Sequence, residues 1–157
     1  MLFRSLHSAS QQGHAHVVRC LLDHGVDVNL SDKDGWTPLY YASWHGYGVI
    51  VGSLLDCGAD ANYPDSLGRT PLHFASQQGH DHVVRLLLDC GADPKRQNSQ
   101  GLAPHHLASR AGHVQIVQLL RNYAQGQITG IVMPGLHCVL YRGRVITSSS
   151  GYYSTRF

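Results

Sequence analysis

Histidine is the residue that first suggests chemistry, because the chain holds twelve, as many as its lysines and arginines together. His14-x-His16 and His80-x-His82 have the look of metal-ligand pairs. On a helix, however, positions i and i+2 diverge by about 200°, so neither pair easily grips one zinc ion. His105-His106 offers two further rings, but helices in neighbouring layers stand about 8–10 Å apart. The expectation is no metal and no cofactor. Cys57 and Cys90 each precede a glycine (Gly58 and Gly91) at equivalent places in the chain, whereas a catalytic nucleophile is singular and has a base in reach. Cys20 falls on an apolar stripe and reads as a small core residue. There is no Gly-rich phosphate loop, and all ten acids are aspartate, leaving no glutamate for acid–base work. These residues argue against an enzyme.

The bulk properties agree. A length of 157 residues allows one domain, or one with an appendage. An apolar content of 43% suits a globular chain rather than general disorder. No apolar run approaches the roughly 18 residues that span a membrane, and the start, Met1 to His7, lacks the apolar stretch of a secretion signal. Four cysteines without paired spacing give no disulfide framework and point to a reducing compartment. The expected location is cytoplasmic and/or nuclear. Charge is uneven along the chain: residues 1–93 carry five cations and all ten aspartates, hence −5, and residues 94–157 carry seven cations and no acid, hence +7. The cations are scattered rather than clustered, so an ordinary solvated surface is favoured over nucleic-acid binding.

Sliding the sequence against itself reveals what positions these residues. Gly13, Gly46, Gly79 and Gly112 recur every 33 residues, as do Ala9, Ala42, Ala75 and Ala108, and Pro38, Pro71 and Pro104. Within one unit, Val83, Val84, Leu87 and Leu88 form a helical stripe. Asp81 and Arg85 lie opposite it in the favourable i, i+4 order. Thr70-Pro71 supplies a capping hydroxyl and a proline at the first helical position. Gly79 breaks this first helix after Gln78, and Gly91 stops the second. Each unit is therefore turn, short helix, tight loop, second helix. Helices of about nine residues are not stable alone, so stacking must bury their stripes.

The motifs Asp34-Gly35-Trp36-Thr37-Pro38-Leu39, Thr70-Pro71-Leu72-His73-Phe74-Ala75 and Leu87-Leu88-Asp89-Cys90-Gly91-Ala92-Asp93 resemble the ankyrin repeat. The signature becomes Thr-Pro-Leu-Tyr-Tyr-Ala at 37–42 and Ala-Pro-His-His-Leu-Ala at 103–108. The resemblance implies an all-α solenoid over 1–126, with units 1–33 (truncated), 34–66, 67–99 and 100–126. It also implies antiparallel helix pairs joined by β-hairpin fingers. His73 is expected to hydrogen-bond backbone and tie adjacent units. Residues 127–157 belong to no unit and read as a disordered arm or a short hairpin turning near Arg142-Gly143. Leu136, Cys138 and Leu140 match a degradation-adaptor box poorly. Gln115, Gln118, Arg121 and Asn122 give unit four a polar end, and Gly52 marks unit two as the softest.

A repeat of this kind implies binding of another protein by a chain that is monomeric alone. The positions that vary between units on the finger tips and first helices are the candidates. In unit two these are Lys33, Asp34, Trp36, Trp44 and His45; in unit three, Ser66, Leu67, Arg69, Gln77 and Gln78; in unit four, Ser99, Gln100, Leu102 and Arg110. Both tryptophans fall in this set, either as hot spots or as packing against a neighbouring finger. Asn29 and Asn62 sit in a context resembling ankyrin asparagines that are β-hydroxylated, although asparagine also simply suits a turn.

Overall fold

A computed structural model describes the backbone of residues 2–126, 136–137 and 146–147, and the side chains of residues 6–126. The described residues form four helix pairs: α1 (Leu2–Gln12) with α2 (Ala15–Asp23), α3 (Pro38–His45) with α4 (Gly48–Asp56), α5 (Pro71–Gln78) with α6 (Asp81–Asp89), and α7 (Pro104–Arg110) with α8 (Val114–Ala124). First helices pack in the order α1, α3, α5, α7, and second helices in the order α2, α4, α6, α8. Ala9, Ala42, Ala75 and Ala108, all buried, let the first helices approach closely. The second helices supply the aliphatic layer, with Val18, Val51, Leu54, Val84 and Leu87 fully enclosed.

The helix boundaries follow local chemistry. Thr37 caps α3 by accepting from Tyr40 N, and proline stands at the first turn of α3, α5 and α7. Gly46 and Gly79 end α3 and α5 in the left-handed conformation, at φ 77° and 83°. A second constraint acts on the same glycines. A Cβ on Gly46 would lie 2.6 Å from the His80 ring, and one on Gly79 would lie 2.5 Å from the His113 ring. Each glycine thus turns its own unit and receives a ring from the next one.

The fingers are tight turns rather than strand ladders. Asp32 Oδ1 accepts from the backbone of Asp34 and Trp36, Asp65 Oδ1 from Leu67 and Arg69, and Asn98 Oδ1 from Gln100 and Leu102. Successive fingers touch through Ser66 N to Asp34 O (3.3 Å) and Ser99 N to Leu67 O (2.9 Å). Beyond the helices, β1 (Leu136–His137) pairs antiparallel with β2 (Ile146–Thr147); the proposed turn at Arg142-Gly143 lies outside the described residues.

Two details depart from the sequence reading. Cys20 is exposed, not core. It lies at the edge of the α2 stripe, where Val18 alone is fully enclosed and Val17 is 44% exposed. Cys57 is an exposed free thiol, whereas Cys90, its equivalent one unit later, is buried, so equivalent places in the repeat are not alike.

Candidate functional site

The finger and first-helix face carries a run of aromatic rings across units two and three. Trp36 stacks on Tyr40 at 4.7 Å between centroids and contacts Tyr41 edge-on at 5.4 Å. Trp44 follows 5.8 Å from Trp36 and stacks on Phe74 at 5.0 Å, nearly parallel at 16°. The Arg69 guanidinium closes the run 4.6 Å from the Phe74 centroid, a cation–π geometry. Both tryptophans are half-buried, so each presents one flank to solvent while the other packs. Tyr40 and Trp44 share one face of α3 because they stand four residues apart, about one helical turn, and Trp36 meets them from the finger that precedes the Thr37 cap.

Arg69 has a second engagement. Its Nη2 lies 2.7 Å from Asp65 Oδ2, a carboxylate whose side chain is fully enclosed. Asp65 also accepts from Tyr40 Oη at 3.1 Å. Burial pushes the Asp65 carboxyl up, but the Arg69 hydrogen bonds and charge, with the Leu67 amide, outweigh it and hold the carboxyl below its usual range. Tyr40 is shifted far upward, by burial first and then by the Asp65 charge. Tyr41, which donates to Asp32 Oδ2 at 2.8 Å, is pushed up to about 12 by burial and by that hydrogen bond.

The remaining candidates are distributed over the same face. Lys33, Asp34, His45, Ser66, Leu67, Gln77, Gln78, Ser99, Gln100 and Arg110 are exposed, and Leu102 is half-buried. The Trp44, Gln77 and Leu102 carbonyls are occupied: they accept from His80 Nε2 (2.9 Å), His113 Nε2 (3.1 Å) and His73 Nε2 (3.1 Å).

Histidine therefore ties units in both directions. His73 Nδ1 lies 3.0 Å from Thr70 N and 2.9 Å from Thr70 Oγ1. A backbone amide can only donate, so Nδ1 is the acceptor and Nε2 carries the proton toward Leu102 O. His7 Nε2 makes the matching bond to Trp36 O at 3.1 Å. His80 and His113 precede their helices but leave them uncapped, reaching back to the previous unit instead. His80 and His82 point to different helices of unit two, one to Trp44 O and Gly46 and the other to Gly48. Among the described residues no group of three His, Cys, Asp or Glu could hold a metal.

Asn29 and Asn62 use both ends of their amides between units. Asn29 Nδ2 donates to Gly58 O at 3.1 Å while Oδ1 accepts from Asp60 N at 2.8 Å. Asn62 repeats this with Gly91 O at 2.9 Å and Asp93 N at 2.8 Å. The 33-residue step of Asn29 and Asn62 was visible in the sequence, but their reach across a junction was not. The Asp32, Asp65, Asn98 series that builds the fingers is equally periodic. Cys20 Sγ lies 3.8 Å from His16 Nε2. The pair lies on the exposed α2 surface.

A profile of ankyrin repeats (three copies) matches residues 4–65 and 49–129. A 36-residue stretch is 53% identical to the putative ankyrin repeat protein FPV223 of fowlpox virus, covering 23% of this chain and 26% of that protein. A 36-residue stretch is 47% identical to protein phosphatase 1 regulatory subunit 12A of mouse, covering 23% of this chain and 4% of that protein. The rat subunit of the same name matches equally. The chain thus spans a small share of the curated relatives it matches. No described helix is long and apolar enough to cross a membrane.

Proposed function

This chain belongs to the ankyrin-repeat family, whose arrays are protein-interaction modules, and we propose that it binds a partner protein through its finger tips and first helices without chemistry of its own. The observation that carries this reading is the half-buried aromatic run from Trp36 through Trp44 to Phe74, capped by Arg69. Trp and Arg are the residue types that most often dominate interface energetics. Around the run stand exposed residues, among them Lys33, Asp34, Gln77 and Gln78. The viral relative supports a repeat-borne role, and the phosphatase subunit is by its name a regulatory one.

The test is affinity purification with the wild-type chain and a Trp36/Trp44 double variant as baits, followed by titration of each single variant against the partner recovered. Trp36→Ala or Trp44→Ala should weaken binding by about 2 kcal/mol, roughly 30-fold, with helicity retained. Unchanged affinity in both variants refutes the assigned face. An adaptor role for 127–157 concerns residues outside those described. Hydroxylation of Asn29 or Asn62 would fall on a side chain whose amide bridges two units, and a peptide heavier by one oxygen would establish it.

A further inference from the structure

The C-terminal end of the array differs from every interior junction. A pocket of about 330 Å³ opens there between the 94–97 loop, the start of α7 and the end of α8, and its lining includes Lys95, Gln97, His105, His106, Arg121 and Gln125. The 33-residue register shows what these replace. His105 stands where Leu6, Leu39 and Leu72 are each at most 1% exposed. Arg121 stands where Leu55 and Leu88 are buried, Gln125 where Ala59 and Ala92 are, and Lys95 where Asn29 and Asn62 bridge forward. A polar cap alone would account for hydrophilic residues at these places. It does not account for three cationic or protonatable side chains and no carboxylate, in a protein whose first three units hold ten aspartates.

His106 sharpens the contrast. Its Nδ1 accepts from Ala103 N at 3.0 Å, which leaves the proton on Nε2, as in His73. In His7 and His73 that Nε2 donates to the next finger's carbonyl. In His106 the donor has no partner among the described residues and belongs to a side chain lining the pocket. The His105 ring lies 3.9 Å from it. Burial first, then the positive fields of His106 and Arg121, hold His105 below the ordinary imidazole value, so the groups are within electrostatic reach of one another.

We propose that this pocket is an anion site for a phosphate monoester, received by the His106 Nε2–H, the His105 ring, the Lys95 ammonium and the Arg121 guanidinium. Such a dianion offers several acceptor oxygens to converging donors. Pro94, Ala103, Leu120 and Ala124 complete the lining, which holds no acid.

The full chain at neutral pH is titrated with sodium phosphate against sodium chloride of equal ionic strength, following the imidazole NMR signals. A phosphoserine peptide and its unphosphorylated form make the second arm. Saturable shifts of His105 and His106 with phosphate but not chloride are expected. A phosphopeptide that binds more tightly than free phosphate identifies a protein-borne group, and equal binding identifies a free one. The double variant His105→Leu/Arg121→Leu, which carries the residues of the inner units, should keep its fold by circular dichroism and bind at least tenfold more weakly. Lys95→Asn should weaken binding several-fold. Linear shifts that chloride reproduces, or unchanged affinity in the double variant, overturn the proposal.

Discussion

The junction between units two and three and the junction between units three and four share one backbone period but are fastened differently. The first uses a buried ion pair and its neighbours: Asp65 bonded to Arg69 and Tyr40, Asn62 bridging to Gly91 and Asp93, and Trp44 stacked on Phe74. The second uses His73 to Leu102 O, with Tyr123 donating to Asp89 across the second helices at 2.6 Å; its His113 to Gln77 O bond is matched at the first junction by His80 to Trp44 O. Lys95 replaces the bridging asparagine there. The period thus fixes where units meet, while the side chains decide whether a junction depends on charge, on a neutral imidazole or on an amide.

The largest break should come at the buried carboxylate. Asp65→Ala strips acceptors from Leu67 N, Arg69 N and Tyr40 Oη and leaves Arg69 without its partner, for a loss of about 3 kcal/mol in urea melts. Asp65→Asn keeps the turn contacts, as Asn98 does one unit later, and should lose only about 1 kcal/mol. Equal losses in the two variants would mean the charge contributes nothing.

The neutral junction should respond to mild acid. His73 accepts from the Thr70 amide and is fully enclosed. Burial dominates its titration; the Leu102 bond and the Asp65 charge favour the cation, Arg69 and Arg96 oppose it, and the outcome is a value below the ordinary one. A depressed folded value means that the unfolded chain binds the proton first. Stability from this group is therefore complete above about pH 6.5 and falls as the pH descends toward the folded value, at up to about 1.4 kcal/mol per unit. His73→Tyr, which places the residue of position 40 at position 73, should flatten the urea-midpoint slope between pH 7 and 5.5. An unchanged slope would assign the response to other histidines.

A smaller effect tests the amide bridge. Asn62→Lys copies position 95 into the inner junction and removes two hydrogen bonds at a partly exposed place, costing about 1 kcal/mol. Lys95→Asn should not give a matching gain.

Much of this was legible in the sequence, because spacing, caps and helix stops are local. Thr70-Pro71 and Gly79 fix α5 by their own chemistry, and the direction of His73 follows from its place in the signature. What escaped depended on side chains meeting across units. Asp65 owes its role to Tyr40 and Arg69, which converge on it from two units. Cys20 looked buried because a stripe read from one helix does not say where its edge meets solvent.

The smallest expected effect separates two kinds of glycine that look alike in the sequence. Gly46 takes φ 77° and faces the His80 ring at 2.6 Å, so Gly46→Ala is both strained and crowded. Gly52 lies inside α4, with no atom within 4 Å of where a Cβ would stand. There the missing side chain only adds freedom to the unfolded chain. Gly52→Ala should therefore stabilise unit two by roughly 0.5–1 kcal/mol, seen as a higher urea midpoint with an unchanged slope. The opposite signs follow from one physical difference: Gly46 is a contact between units, and Gly52 is a gap within one. If Gly52→Ala destabilised the array, α4 would need its present flexibility or an unfilled surface against a partner, and the softness of unit two would belong to binding rather than to chance.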